Sequence, residues 1–370
     1  MTPKYNFLNK APTGLTTPKR KKSGAKVFLQ TILILGIVLA VAAAAAGIWF
    51  WNMTKPADRG AEEERVFLVE PNESVKTIGE RLESDGMIRS AAAFWFYARV
   101  VQRGVVIETG RYRLSPSMPM LDVIRTLTAG GEKAPTAMIT FLPGGNKFDA
   151  FAAMRSVGFD DTQINRLDGE DYLLEIQAKF PRLFEGWTTD KGLEGFFWGD
   201  TYEIFLDNGS RGALNRALQQ MDSVIDNELI AKLAESGRTF YESLILASII
   251  TLEEPRYEEQ KIVAQIFINR LEIGMELGSD PTYKYGARLL GVESHRDLDT
   301  PFNTRLHAGL TPTPIATPSL SALQALASPT PTDALFFLSG DDDALRTART
   351  YAEHEANILN YCRVKCFSYH

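Results

Sequence analysis

The chain has 370 residues, 45% of them hydrophobic and 23% charged, with a net charge of −6. That apolar share excludes a disordered chain, and the length allows two or three domains with real cores. Seven of the cations crowd into the first 26 residues, which leaves 33 basic against 46 acidic residues, net −13, for the rest and argues against a nucleic-acid partner.

The basic tail, residues 1–26, carries Lys4, Lys10, Lys19, Arg20, Lys21, Lys22 and Lys26 and no acidic residue. Residues 27–53, VFLQTILILGIVLAVAAAAAGIWFWNM, have no charge and are long enough to cross a bilayer with some tilt. Trp49 and Trp51 suit its interface. The positive-inside rule keeps the tail in the cytoplasm and sends everything after the span to the other side. A cleaved signal peptide is the alternative, although this apolar run exceeds the usual length of such a segment.

Residues 54–64 (TKPADRGAEEE) are polar with no apolar period and read as a tether. A small module, residues 65–132, follows. Its spacing predicts a strand at Val66–Val69, helices at Ser74–Leu82 and Ala91–Val101, a strand within Glu108–Ser115 and a helix from Leu121 to Leu127 that stops at Gly130-Gly131. The order strand, helix, helix, strand and the stretch VFLVEPNESVKTIGERLESDGMIRS resemble a LysM module, and that resemblance implies glycan binding. A linker near 132–136 leads into a larger domain, residues 137–368, opened by a strand and a Gly-rich turn, AMITFLPGG. No Gly-Lys-Ser/Thr follows that turn, so it is not a phosphate loop. The fold class expected is α+β: a transmembrane helix, a small LysM-like α/β module and a larger α+β catalytic domain.

The most informative helix lies in that domain. Thr239-Phe-Tyr-Glu242 has the form of a capping box, and Pro255 ends the helix that it starts. Leu244, Ile245, Leu246, Ala247, Ile249 and Ile250 cover nearly every face, as in a buried central helix. Counting back three, four and seven residues from Glu253 gives Ile250, Ile249 and Leu246, so this carboxylate continues an apolar stripe, while Glu254 points about 100° away. Desolvation and the negative end of the helix dipole both favour a protonated Glu253. Enzymes tune a general acid in this way. The other reading of the same spacing is an ion pair with Arg256 or Arg270 that closes the helix.

The segments LASIITLEE, FINRLEIGMELGSDPTYKYG, GLTPTPIATPS, TYAEHEANI and LEGFFWGDTYEIF, together with the anchor and the small module, resemble the MltG-type (YceG-like) endolytic murein transglycosylases. In that family a glutamate of an Ala-Ser-Ile-x-x-x-Glu segment is the catalytic acid and base, which corresponds to Glu253. The resemblance implies that Asn269, Arg270, Asp280, Thr282, Tyr285, Asn303 and Thr304 build and line a substrate-binding cleft. It also implies peptidoglycan glycan strands as substrate, no cofactor or metal, partners in the wall-building machinery and a bacterial inner-membrane location with the catalytic domain outside the cytoplasm. The chain departs from the family pattern at Thr251, where a second acidic residue is common, and at Gly199, Thr311, Arg305 and Glu355.

The reaction so implied is cleavage of the β-1,4 bond between N-acetylmuramic acid and N-acetylglucosamine to leave a 1,6-anhydro end, which one carboxylate can serve. A hydrolytic muramidase would enlist a second acid, with Asp280, Glu194 and Asp200 as candidates, each also readable as a solvated or turn-forming residue. A wall-binding scaffold without turnover is the alternative outside enzymology. His295, His307, His354 and His370 form no His-Glu-x-x-His, and no Gly-x-Ser-x-Gly elbow occurs. His354 is expected to make a structural hydrogen bond, Phe196, Phe197, Trp198 and Tyr202 to fill the core or stack on sugars, and Cys362 and Cys366 to form a disulfide or stay as inert thiols.

Overall fold

The structure is a computed structural model and describes residues 24–61, 63–71, 73–101 and 106–366. The basic tail up to residue 23 lies outside the described residues. The chain divides into two compact units, Met1–Glu132 and Lys133–His370.

The first unit starts with helix α1, Gly24–Met53. Among the described residues its Phe28–Met53 stretch is the one helix long and apolar enough to cross a bilayer, and its side chains from Phe28 to Leu39 are all exposed. Strand β1 (Arg65–Val69), helices α2 (Val75–Ser84) and α3 (Ala91–Phe96), strand β2 (Gly110–Leu114) and helix α4 (Met120–Thr128) complete the unit. Ser74 and Ser90 cap α2 and α3 by accepting from Thr77 N and Ala93 N, donors that a helix start otherwise leaves unpaired. The predicted helix Ala91–Val101 is α-helical only to Phe96 and widens into a π-helical stretch at Tyr97–Val101. Strands β1 and β2 pair antiparallel with Phe67 opposite Tyr112, and the period of two turns Phe67, Val69, Tyr112 and Leu114 onto Ile78, Leu82, Phe94, Val123 and Leu127.

The expected tether is fastened down. Thr54 O accepts from Met120 N at 3.0 Å, Pro56 O from Arg89 Nε at 2.6 Å, Pro116 O from Asp58 N at 3.0 Å, and Ala61 O from Ser115 Oγ at 3.2 Å. Its polar composition gave no sign of these bonds, because backbone groups count as partners whatever their side chains.

The second unit runs β3 (Thr136–Phe141), α5 (Lys147–Ser156), α6 (Asp161–Asn165), α7 (Glu170–Lys179), β4 (Asp200–Phe205), α8 (Gly209–Val224), α9 (Asn227–Ala234), α10 (Phe240–Glu253), α11 (Tyr257–Glu272), α12 (Asp280–Leu290), α13 (Leu320–Ala327), β5 (Phe336–Ser339), β6 (Leu345–Ala348) and α14 (Tyr351–Tyr361). Strand β3 pairs antiparallel with β4, and β5 with β6. Helix α10 is the axis of the unit: Phe240, Tyr241 and every residue from Ser243 to Ile250 are buried, with α9, α11, α12 and α13 packed around it. Phe196, Phe197, Trp198 and Tyr202 belong to the same core, so they are packing residues here. Cys362 and Cys366 form a disulfide at the end of α14.

Candidate active site

Local chemistry fixes both ends of α10. Thr239 Oγ1 accepts from Glu242 N at 3.2 Å, and the Glu242 carboxylate accepts from Thr239 N at 2.8 Å. At the other end Glu254 leaves helical geometry before Pro255. Glu253 therefore sits in the last turn, where no basic side chain offsets the dipole.

The two neighbouring glutamates have opposite fates. Glu254 is buried and takes Arg256 in a bidentate pair, 2.8 Å to each oxygen, with Arg256 N at 2.9 Å as a third donor. Against the upward push of its burial, these bonds and that charge bring its pKa below the ordinary value. Glu253 makes no pair with Arg256. Its half-buried side chain lies against α12, its carboxyl accepts from the Ser279 hydroxyl, and its pKa is raised. Burial is the main cause and the charge of Asp280 adds to it, opposed by the Ser279 hydrogen bond and by Arg305 and Arg270.

Glu253 opens on a cavity of about 770 Å³ whose wall includes Arg270, Asp280, Arg305, Phe336 and His354. Arg270 is 8% exposed and donates to backbone carbonyls, Leu335 O and Leu277 O at 2.6 Å each. Burial lowers its pKa to about 10, and its guanidinium lies over the Phe336 ring at 5.3 Å. Arg305 Nε donates to Asp280 at 2.7 Å, and the two form an ion pair on the cavity wall. Asp280 and Pro281 were expected in a turn; they open α12, where a first-turn proline and acidic residue are both favoured.

Behind this wall stands a group of buried hydroxyls. Thr282 Oγ1 lies 2.5 Å from Ser279 O and 2.9 Å from Thr304 Oγ1, and Thr304 Oγ1 in turn accepts from Ser279 N at 3.1 Å. Thr282 and Thr304 thus fix the backbone of the residue whose hydroxyl meets Glu253. Asn303, fully buried, donates to Arg296 O and Leu298 O at 2.8 and 2.9 Å and folds the loop before Thr304. Asn269 Nδ2 donates to Thr332 O and Ala334 O at 2.9 and 3.1 Å, holding the segment that leads into β5. Of the residues expected around the cleft, the structure places Arg270 and Asp280 on the cavity wall with Glu253, and Asn269, Thr282, Asn303 and Thr304 behind it.

Tyr285 has a different partner. Its hydroxyl donates to Glu194 at 2.6 Å, and Glu194 also accepts from Lys147 N at 3.0 Å and Gly195 N at 3.2 Å. Glu194 is 2% exposed, so it is not solvated, although it does sit in a turn, in which Phe196 N donates to Leu193 O at 3.2 Å. Its burial pushes the pKa up to about 7 against those donors. Neither Glu194 nor Asp200 lines the cavity; of the three second-acid candidates, Asp280 alone shares it with Glu253.

Sequence reasoning missed Ser279. The signal was present, since a serine before Asp-Pro is a helix start, but its hydroxyl meeting Glu253 from 26 residues away is tertiary. It also misplaced His354, which lines the cavity and stacks on Phe336 at 5.4 Å. Among the described residues its Nδ1 has no hydrogen-bond partner, and burial and then Arg270 lower its pKa. At the Thr251 departure, the hydroxyl donates to Ala247 O at 2.7 Å and accepts from Ser319 N at 3.0 Å, fastening the start of α13 to α10.

A half-buried carboxyl biased to its acid form opens on a cleft of mixed polar and apolar lining beside one ion-paired carboxylate, on a mixed helix-and-sheet scaffold; such a carboxyl has the attributes of a general acid. The chain belongs to the YceG-like family, whose model matches residues 67–360. It is 25% identical over 371 residues to the endolytic murein transglycosylase of Streptococcus pneumoniae serotype 2 strain D39, covering 93% of this chain and 66% of that one. The chain thus spans just under two thirds of the streptococcal relative's length. To the endolytic murein transglycosylase of Bacillus subtilis strain 168 it is 25% identical over 331 residues, 85% of this chain and 89% of that one. The fold is similar to a crystal structure of a yceG-like protein from Listeria monocytogenes, with a TM-score of 0.52 at 24% identity over 80% of this chain and 99% of that chain.

Proposed function

We propose that this chain is a membrane-anchored endolytic lytic transglycosylase of peptidoglycan, with Glu253 as its general acid and then its base. The observation that carries the reading is the Glu253 carboxyl, raised in pKa by burial and presented to a cavity roomy enough for sugar rings. The names of the streptococcal and bacillar relatives support the substrate.

The protonated Glu253 gives its proton to the glycosidic oxygen as the bond to the muramoyl C1 breaks and its electron pair leaves with that oxygen. An oxocarbenium-like centre is left at C1. The new carboxylate is stabilised by the Ser279 hydroxyl and the charges of Arg270 and Arg305. It then takes the proton of the muramoyl C6 hydroxyl, whose oxygen closes on C1 to give the 1,6-anhydro end. Glu253 is protonated again, with no water consumed.

One observation favours a second reading, a hydrolytic muramidase: Asp280 is a carboxylate in the same cavity. Its engagement by Arg305 supports the lytic reading, because the guanidinium occupies the oxygen that would have to reach a water or a sugar carbon. Mass spectrometry of glycan strands digested by the whole chain separates the two. Anhydro ends fit lytic cleavage, reducing ends fit hydrolysis, and intact strands leave only a wall-binding scaffold.

For the surroundings of the site, we read α1 as a single membrane span with the N-terminus in the cytoplasm and both units outside it, supported by its length and by the seven cations before it. The first unit is read as a LysM-like glycan-binding module on its order of strand, two helices and strand.

A further inference from the structure

The first unit presents an apolar surface that its described residues do not cover. Along α3 and the π-helical stretch after it, Ala93, Phe94 and Ala98 are buried in the core. On the other side Trp95, Phe96, Val100 and Val101 are 42%, 44%, 46% and 56% exposed. A helix with apolar residues on both faces belongs where both sides are apolar, and among the described residues of this unit only one side is supplied.

Two observations indicate the missing phase. Phe50, in the last turn of α1, sets its ring against Phe96 at 5.8 Å and Tyr97 at 6.4 Å. The exposed face therefore begins one ring away from Phe50, whose neighbours along the end of the apolar span are Trp49 and Trp51. The residues after the span are also hydrogen-bonded to the unit at Thr54, Pro56, Asp58 and Ala61, so the unit does not swing on a free tether.

We propose that Trp95, Phe96, Val100 and Val101 lie in the interfacial layer of the bilayer that α1 crosses, seating the first unit on the lipid surface. The proposal rests on reading α1 as a membrane span. Aromatic rings are favoured at the headgroup level, and a helix with one apolar face buries it there. Arg99, exposed within the same stretch, is long enough to keep its charge among lipid phosphates while its stem lies along the apolar face. On α2 the exposed pair Lys76 and Glu80, 3.6 Å apart, stays in water.

The test uses the full-length chain in vesicles of phosphatidylcholine and phosphatidylglycerol, with an environment-sensitive NBD label on Val100→Cys and, as a control, on Lys76→Cys. The native disulfide leaves the introduced thiol as the one to label. The expected result is a blue-shifted Val100 label whose emission is lost to nitroxide-bearing lipids and spared by aqueous iodide, with the reverse at Lys76. Val101→Cys repeats the measurement should the first variant fold poorly. Two results overturn the proposal while the chain still floats with the vesicles: a label quenched by iodide as at Lys76, or one shielded from both quenchers, which would mean that protein covers the face. A chain that fails to float overturns the membrane-span reading itself and this proposal with it.

Discussion

The hydroxyl of Ser279 donates to the carboxyl of Glu253, joining the first residue before α12 to the last residue of α10. A donor aimed at a carboxyl favours its ionised form, whereas burial favours the acid. The pair therefore sets a balance: burial raises the Glu253 pKa, and the hydroxyl opposes that rise.

Removing that donor should shift the pH profile. In the proposed mechanism cleavage needs protonated Glu253, so the rate falls as pH rises through its raised pKa. Ser279→Ala lifts the pKa further and moves this alkaline limb to higher pH, while the maximal rate drops by about 10- to 100-fold for loss of one hydrogen bond to a charged group. Muropeptide chromatography across a pH series measures both.

Glu253→Gln should abolish strand cleavage, a loss of about 10²–10⁴-fold for a general acid and base. The amide keeps the shape and can still accept from Ser279, so the melting temperature should hold or rise. Retained cleavage would remove the central role assigned to this residue.

Arg305→Ala should leave Asp280 unpaired beside Glu253. The uncompensated negative charge raises the Glu253 pKa, and the alkaline limb moves up as with Ser279→Ala. Arg305→Lys restores the charge without the fork geometry and should give a smaller shift. The difference between wild type and Arg305→Ala should shrink in high salt, because the pair is partly exposed.

Glu194 predicts a stability that falls with pH. Its folded pKa of about 7 stands above the ordinary 4.5, so the folded state holds the proton longer than the unfolded one. The contribution is fully present below about 4.5 and is lost as pH rises through 7, a swing on the order of 3 kcal/mol. Thermal melting of Glu194→Gln should show a flatter pH dependence than wild type over that window.

Gly199→Ala should destabilise the second unit by about 1–3 kcal/mol, the usual cost of overpacking. A Cβ at this position would lie 2.7 Å from both Cα and N of Pro143, backbone atoms that cannot rotate away. Urea unfolding of the two proteins gives the difference.

What could be read in advance was local. The capping box at Thr239 and Glu242, the stop at Pro255 and the apolar stripe leading to Glu253 all lie within one helix, whose period alone relates them. The elements of the first unit were equally legible, because caps and alternating strands are written in consecutive residues. The turn at Glu194 was legible but its burial was not, because its carboxyl is held by Tyr285 and Lys147, 91 and 47 residues away. Thr282, Asn303 and Thr304 could be placed near the cleft by resemblance, but whether a hydroxyl faces the cavity or the backbone behind it depends on how α12 and the loop before Thr304 meet.

The sequence by itself determined where the helix carrying Glu253 begins and ends, and that its carboxyl would sit on an apolar face at a negative helix end. Only the tertiary structure decided what Glu253 would meet: Arg256 pairs locally with Glu254, Arg270 went to backbone carbonyls as far as 65 residues away, and Glu253 was left with a hydroxyl from 26 residues away. The reason is reach. Helical period and capping act over a few residues of one segment, whereas the protonation state of a carboxyl is set by every group within a few ångströms, whichever part of the chain supplies it.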